Sequence, residues 1–229
     1  MTTWTGQSKS ANPFGTAVAY NGVASGNTTT AIQTVTGPTV SAPKNCVLAF
    51  FNTNGNGDIL TGVTANGVAM TKLGSNTHVG GEYNYLYYIN DVSSGAVSIT
   101  PTYSVTGNPH PYIIVCYDYV GVPINYVSYT GSNSPITKTV TVTTPTTSWA
   151  FSAFRNIDGN FSAGAGATMR GTASPQNAFD SNGVASSSPY SMTLTFPGTR
   201  QWGGFMCELP YVSYQQARNS TTWSSVTKN

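Results

Sequence analysis

The side chains that could carry acid–base chemistry are few in this 229-residue chain. No two of the seven carboxylates stand two positions apart on a predicted strand, the arrangement in which sandwich-fold glycosidases often present an acid and a nucleophile. Asp118 and Glu208 could still converge in space, but the sequence favours both of them facing solvent or a subunit contact. The carboxylates are Asp58, Glu82, Asp91, Asp118, Asp158, Asp180 and Glu208.

The sequence also lacks a recognisable motif for nucleophilic catalysis or for metal binding. The two histidines, His78 and His110, stand in polar, loop-like surroundings, and no Gly-x-Ser-x-Gly motif accompanies them. Two scattered histidines and three strand-embedded cysteines do not form a zinc pattern. The glycine-rich run at 164–168 does not follow a strand and open a helix, as a phosphate-binding loop would. The sequence therefore predicts a protein that is not an enzyme and that holds no cofactor or metal.

Residues 52–58 have the asparagine and aspartate spacing of the first half of an EF-hand calcium loop. Val63 stands where the bidentate glutamate of such a loop would fall, and the segment follows a predicted strand instead of a helix. We therefore expect a polar hairpin loop here, with calcium binding as the weaker alternative.

Charge is scarce, because charged residues make up 7% of the chain against roughly 25% in ordinary soluble domains. With a formal net charge of +2, the composition gives no electrostatic reason to expect a nucleic acid or an anionic membrane as partner. No apolar run approaches the ~20 residues of a transmembrane helix, and no signal-peptide pattern is visible. A weakly charged surface gives little colloidal repulsion, so we expect the protein to assemble with other chains, including copies of itself.

The three cysteines each lie inside an apolar, strand-like run. Their odd number, without a framework spacing, argues against a disulfide scaffold, so we expect Cys46, Cys116 and Cys207 to be buried core residues. A bridge between Cys46 and Cys116 remains the alternative.

The elements are organised around residues 82–121, which predict three strands at 83–89, 96–103 and 112–120. In the first of these, Tyr83, Tyr85, Tyr87 and Ile89 alternate with residues that face the other way. The third is apolar or aromatic almost without interruption, which predicts a strand buried on both faces. Asn21-Gly22 predicts a hairpin turn between strands at 16–20 and 28–40, and Asn66-Gly67 predicts another between 60–64 and 68–73.

The remaining chain adds further alternating runs, while 154–189 is the least regular part and predicts one or two short strands or a surface excursion. In total the pattern predicts about ten to twelve short strands and no helix. We therefore predict an all-β, jelly-roll-like antiparallel β-sandwich as one domain at 14–212, with tails at 1–13 and 213–229.

The two tails share a short pattern. Residues 2–10 and 221–229 both read Thr-Thr-Trp, then small polar residues, then Lys followed by Ser or Asn, and 214–220 resembles a degenerate third copy. Such segments are either disordered tails of coincidental composition or docking segments in which an aromatic side chain anchors in a partner. The predicted docking residues are Trp4, Lys9, Tyr214, Arg218, Trp223 and Lys228.

The chain is also rich in aromatic residues, with 14 Tyr, 9 Phe and 4 Trp. Exposed Tyr and Trp on a sandwich face could stack on sugar rings, so a carbohydrate-binding or adhesion module that recognises a host-surface glycan is the alternative function. The strand tyrosines could equally pack in the core.

Five segments are distinctive as a set: Val-Leu-Ala-Phe-Phe at 47–51, Gly-Val-Thr-Ala-Asn-Gly-Val-Ala-Met-Thr at 62–71, Leu-Tyr-Tyr-Ile-Asn at 86–90, Val-Ser-Ile-Thr at 97–100, and Val-Cys-Tyr-Asp-Tyr-Val-Gly-Val at 115–122. Their succession resembles a widespread family of β-sandwich domains that occur in phage virion proteins and in bacterial and metagenomic surface proteins. The resemblance covers about residues 28–155, and the tails look like the aromatic, polar, Lys-Asn ends of small tailed-phage structural proteins.

This resemblance implies a non-enzymatic virion component, such as a capsid decoration, head-fibre or tail-associated protein. Its partners would be other capsid or tail proteins, and it would join the virion during assembly in the host cytoplasm. The family offers no catalytic motif to carry over. Family members often have further domains, whereas this chain reads as a single domain with tails.

Overall fold

A computed structural model of the chain describes residues 17–42, 44–55, 57–78, 81–105, 109–198 and 201–213. Within these ranges the regular structure consists of seventeen β-strands, and no α-helix is found. All of the strand pairs are antiparallel. The predicted all-β sandwich is therefore confirmed, although its strands outnumber the ten to twelve expected. This part of the chain holds no helix capable of spanning a membrane.

The strands of the first half of the chain are β1 (Ala19–Thr28), β2 (Val35–Val40), β3 (Asn45–Asn52), β4 (Leu60–Ala65), β5 (Val68–Ala69), β6 (Thr71–His78), β7 (Glu82–Asn90), β8 (Gly95–Tyr103) and β9 (His110–Asp118). Those of the second half are β10 (Ile124–Gly131), β11 (Ile136–Val140), β12 (Trp149–Asn156), β13 (Ser162–Ala163), β14 (Thr168–Ala173), β15 (Gln176–Asp180), β16 (Tyr190–Thr195) and β17 (Trp202–Leu209).

These strands form four sheets. Sheet 1 has the order β2-β8-β4-β5 and sheet 2 the order β1-β9-β3-β7-β6, so both come from the first half of the chain. Sheet 3 has the order β10-β17-β12-β15-β14 and sheet 4 the order β11-β16-β13, so both come from the second half.

The two halves of the chain have the same strand order. Replacing β1, β9, β3, β7 and β6 by β10, β17, β12, β15 and β14 converts sheet 2 into sheet 3, and sheet 1 converts into sheet 4 in the same way except for the two-residue β5. In each half the chain passes repeatedly between the two sheets, as in a jelly roll, and only the neighbours β4–β5, β6–β7 and β14–β15 share a sheet. We call β1–β9 the first roll and β10–β17 the second roll.

The four sheets stack in numerical order and enclose three apolar cores. Val47, Ala49 and Phe51 of β3 pack in the core between sheets 1 and 2, while Leu48 and Phe50 pack in the middle core between sheets 2 and 3. The third core lies between sheets 3 and 4 and includes Phe154, Trp202, Met192 and Leu194. Sheets 2 and 3 are thus covered on both faces, which explains why every residue of β3, β12 and β17 is buried.

An approximate two-fold axis relates the rolls. At one edge of the middle core β1 contacts β14, and at the other edge their counterparts β10 and β6 contact each other. The central strands β3 and β12 run in the same direction, because the Tyr117 ring, whose residue pairs with Cys46 in β3, lies 6.1 Å from the Trp149 ring in β12. At the far end Arg155 bonds to Asn54, just past β3. The axis therefore runs along the strands.

The central prediction, for residues 82–121, is confirmed. Strand β9 is buried between β1 and β3, and the predicted alternation of β7 places Tyr83, Tyr85, Tyr87 and Ile89 against the first core. The Asn66-Gly67 turn is also confirmed, with φ of 49° and 80° as a type I′ hairpin requires.

Two local predictions were wrong. Asn21-Gly22 is not a hairpin turn but lies inside β1, where the pairing register with β9 shifts and forms a bulge. The irregular stretch after residue 154 holds three strands (β13, β14 and β15), two of which complete sheet 3 beside β12.

The cysteines are buried and free, as expected. A Cys46–Cys116 bridge is contradicted, because Cys46 packs in the middle core whereas Cys116 packs in the first core, on the opposite face of sheet 2.

Candidate functional site

All six predicted docking residues lie outside the residues that the structure describes, which begin at Ala17 and end at Ser213. The docking role of Trp4, Lys9, Tyr214, Arg218, Trp223 and Lys228 therefore stays a prediction. The structure does describe the points where the two tails join the body.

Both tails join the body at the same end of the stack. Ala19 at the start of β1 pairs with Asp118, and the backbone N–H of Val212 donates to the carbonyl of the next residue, Tyr119, at 2.9 Å. The N–H of Gly121 donates in turn to the Pro210 carbonyl at 2.9 Å. We call this end the chain-end pole; it comprises residues 17–19, 119–124 and 210–213.

Asp118 and Glu208 also lie at this end, but neither faces solvent or a subunit contact as predicted. Asp118 is almost fully buried, with Oδ2 accepting from Ser41 Oγ at 2.9 Å and Oδ1 accepting from Asn21 Nδ2 at 3.3 Å and from the Ala42 N–H at 3.4 Å. The carboxylate thus fastens the bulge of β1 and the loop after β2 to the end of β9.

Glu208 has the matching arrangement in the second roll. It is fully buried, and Oε2 accepts from Asn125 Nδ2 at 2.7 Å and from the Thr143 N–H at 2.8 Å. Asn125 lies at the bulge of β10, as Asn21 lies at the bulge of β1, and the Thr143 loop follows β11 as the Ser41 loop follows β2. Burial raises the pKa of Glu208, but hydrogen bonds from Thr143, Ser148 and Thr144 outweigh burial and hold that pKa below its ordinary value.

The two carboxylates do not form a catalytic pair. Asp118 lies on the face of β9 that Cys116 presents to the first core, and Glu208 lies on the face of β17 that Met206 presents to the third core. They point away from each other across the middle core, so each acts within its own roll.

A buried ion pair joins the rolls at the end opposite the chain-end pole. Arg155 in β12 donates from Nε to Glu82 Oε2 at 2.5 Å and from Nη2 to Glu82 Oε1 at 3.0 Å, and Nη2 also donates to Asn54 Oδ1 at 3.0 Å. Both charged side chains are nearly inaccessible, with 4% of Arg155 and 11% of Glu82 exposed. The pair therefore fixes how sheet 3 sits on sheet 2.

A row of amide side chains extends this contact across sheet 2. Asn52 Nδ2 donates to Asn84 Oδ1 at 2.8 Å, and Asn84 Nδ2 donates to Asn76 Oδ1 at 3.0 Å. Asn76 Nδ2 then donates to the Gly204 carbonyl in sheet 3 at 2.9 Å. Because these amide groups hydrogen-bond to one another, the polar side chains can be buried at the edge of an otherwise apolar interface.

A second ion pair lies nearer the chain-end pole. Arg170 Nε donates to Asp180 Oδ2 at 2.6 Å, the Tyr117 hydroxyl donates to the same oxygen at 2.8 Å, and the guanidinium lies 4.3 Å from the centre of the Tyr20 ring. Burial, followed by the charge of Asp180, raises the pKa of Tyr117 well above its ordinary value, so its hydroxyl stays a donor. The sequence alone does not reveal the ion-pair roles of Arg155, Arg170 and Asp180, because their partners lie in other strands.

The histidine expectation was wrong for His110, which is not in a loop. It opens β9, is almost fully buried and stacks on Tyr103 with ring centres 4.2 Å apart. Burial lowers its pKa, so the ring is neutral at pH 7. The side chain of His78 lies outside what the structure describes.

The oxygens of the predicted loop at 52–58 bind protein donors. Asn52 Oδ1 accepts from the Asn54 N–H at 2.6 Å, Asn54 Oδ1 accepts from Arg155, and Asp58 Oδ1 accepts from the Tyr85 hydroxyl at 2.6 Å. These contacts favour the polar-loop interpretation over a calcium loop. In the described ranges, no group of three His, Cys, Asp or Glu side chains could hold a metal ion.

The aromatic side chains pack inside the body. Every described Tyr, Phe and Trp is buried or half-buried, and many are in ring contact within the cores. A shallow groove of about 240 Å³ runs between β6 and β10 and is lined by Thr77, Thr130, Gly131, Ser132, Gln201 and Trp202. Trp202 is itself fully buried, so its ring face offers no stacking surface to a sugar.

Comparisons with protein-family models, with curated proteins and with solved structures find no match to this chain. The resemblance to phage β-sandwich proteins therefore stays a prediction.

Proposed function

We propose that this chain is a non-enzymatic structural protein of a phage particle, docked to other virion proteins through its aromatic tails. The observation that carries the proposal is that the described carboxylate contacts are structural, because they hold loops and strands in place within each roll and join the two rolls at Arg155–Glu82. In this proposal the tails attach the protein to the particle, and the body made of the two rolls is displayed there.

Six of the carboxylates support this function, because each of these six binds a protein donor within the body. Asp58 binds the Tyr85 hydroxyl, and the exposed Asp91 pairs with Lys44 at 2.6 Å. Asp118 and Glu208 hold loops, while Glu82 and Asp180 pair with arginines across or beside the middle core. A glycosidase needs two carboxyl groups facing one cleft, and these six serve separate structural contacts.

The architecture is consistent with a particle component. Jelly rolls recur in viral capsid proteins and in lectins, so the fold admits both the proposed function and the carbohydrate-binding alternative. The described aromatic rings are buried or half-buried, which weighs against the carbohydrate-binding alternative. A surface with few charges suits a protein that is assembled with others.

Removal of both tails tests the docking role. A chain lacking residues 1–10 and 214–229 keeps all of the described strands and the three described cores, so we expect it to unfold at the same temperature as the full chain. We expect it to be lost from particles, whereas a control with tails of scrambled sequence and equal length reports on tail length alone. Incorporation of the shortened chain at the full level would overturn docking by the tails, and glycan binding by the shortened body would favour the alternative.

A further inference from the structure

The two tails share a Trp and Lys pattern, and the described ends of the chain next to them lie close together. We propose that the tails dock together, as a two-pronged attachment, on a partner surface that presents two neighbouring copies of one indole-binding site. This inference rests on the proposed function, since it concerns how the same tails engage a virion protein.

The described ends of the chain are close together. Ala19 is the strand neighbour of Asp118, and Val212 is bonded to Tyr119, the next residue along. Two inter-strand steps of about 5 Å and one residue step of 3.8 Å separate Ala19 from Val212, so they lie no more than about 15 Å apart. Both tails therefore start from one small area of the chain-end pole.

The two segments carry the same pair of anchors at the same spacing. Lys9 follows Trp4 by five positions, and Lys228 follows Trp223 by five positions. One kind of site, an apolar pocket for the indole with a carboxylate nearby for the ammonium group, would accept both segments. Trp is among the residues most often found as interface hot spots.

The two anchors also have comparable reach. Trp4 stands 13 positions before Ala17 and Trp223 stands 10 positions after Ser213, which allows at most about 45 Å and 35 Å of extended chain. Two sites on adjacent copies of one capsid or tail subunit are therefore within the span of a single molecule.

The body offers a surface for the same partner. Val122 is 52% exposed and Ile124 is 38% exposed, and both lie in the segment that links the rolls at the chain-end pole. An assembly that seats this pole would cover these two apolar side chains. The rolls would then project outward along their two-fold axis.

Two linked binding events should give far more affinity than either alone, typically by a factor of 10² to 10⁴. The test uses isotopically labelled full chain, pelleted with particles that have been purified from the source and stripped of their own copy. The variants are Trp4→Ala, Trp223→Ala, the double variant, and an equimolar mixture of the two single variants. Ser8→Ala with Thr227→Ala is the matched control in the tails, and thermal unfolding checks that the body is unchanged.

We expect each single variant to lose at least about a hundredfold in affinity, the mixture to restore nothing, and the double variant not to bind. Full binding by either single variant would overturn two-pronged docking while leaving docking by one tail intact. Full binding by the double variant would overturn docking by the tails but not the place in the particle. If the unaltered chain fails to bind, the proposed function fails and this inference fails with it.

Discussion

Gly74 and Gly171 occupy the same position in the two rolls. Each lies at the bulge of an edge strand, β6 or β14, where the register with the neighbouring strand shifts. Each also approaches the other roll: a Cβ on Gly74 would collide with Tyr126, and a Cβ on Gly171 would lie 2.6 Å from Val23 Cγ2. The approximate two-fold axis therefore relates individual contacts as well as strand order.

This close approach predicts the effect of adding one methyl group. We expect Gly171→Ala to destabilise the protein by about 1–3 kcal/mol, because Val23 and Ile113 are branched, packed side chains that cannot move aside freely. Gly62→Ala is the control, since a Cβ at Gly62 meets no atom within 4 Å. Urea unfolding of both variants measures the difference, and equal stability of the two would contradict the described packing of the rolls.

The buried Arg155–Glu82 pair should be costlier to break than the half-exposed Lys44–Asp91 pair. Arg155→Met removes the Arg155 guanidinium from the buried Glu82 carboxylate, so we expect a loss of about 3–5 kcal/mol in the free energy of unfolding. Lys44→Met breaks the half-exposed pair with Asp91 and should cost about 1 kcal/mol or less. Chemical denaturation checks both, and a loss below 1 kcal/mol for Arg155→Met would show that the pair does not join the rolls.

The lowered pKa of Glu208 should make the stability of the folded protein depend on pH. Its folded pKa lies below the unfolded value of about 4.3, so its stabilising contribution is present above that pH and disappears as pH falls through the folded pKa. Glu208→Gln should therefore be less stable than the unaltered protein at pH 7, and this gap should narrow in acid. Denaturation midpoints from pH 7 to pH 3 measure the gap, and a gap of constant size would rule out the hydrogen-bonded carboxylate.

Burial of the three cysteines should make their thiols unreactive in the folded protein. Burial raises the pKa of Cys116 to about 12 and raises the pKa of Cys46 and Cys207 as well, so all three should be inert thiols. We expect an aromatic disulfide reagent at pH 8 to label none of them in the native state and three per chain in denaturant. Rapid labelling of the native protein, or fewer than three thiols after unfolding, would contradict free, buried cysteines.

Much of the fold could be predicted from sequence because local patterns carry it. The unbroken apolar run of β9 and the side-chain alternation of β7 are typical of strands that are covered on both faces. A sheet covered on both faces requires a further layer of structure on each side. The repeated topology could not be predicted, because it depends on pairings between distant residues such as Asp118 with Ala19.

The tetrapeptide Asn-Gly-Val-Ala shows how little a short motif determines by itself. At 66–69 it forms a hairpin turn, at 21–24 it lies within β1, and at 182–185 it lies in the loop after β15, where Asn182 accepts from Arg170. The candidate site was less predictable than the fold, since Asp118 and Glu208 read as surface carboxylates until the loops that bind them are placed.

Quantitative mass spectrometry of particles purified from the source tests the proposed function most directly. We expect this chain to be recovered with the major capsid protein in a fixed ratio that stays constant through repeated purification. Its absence from the particles, or a ratio that falls with each purification step, would contradict a structural role in the virion.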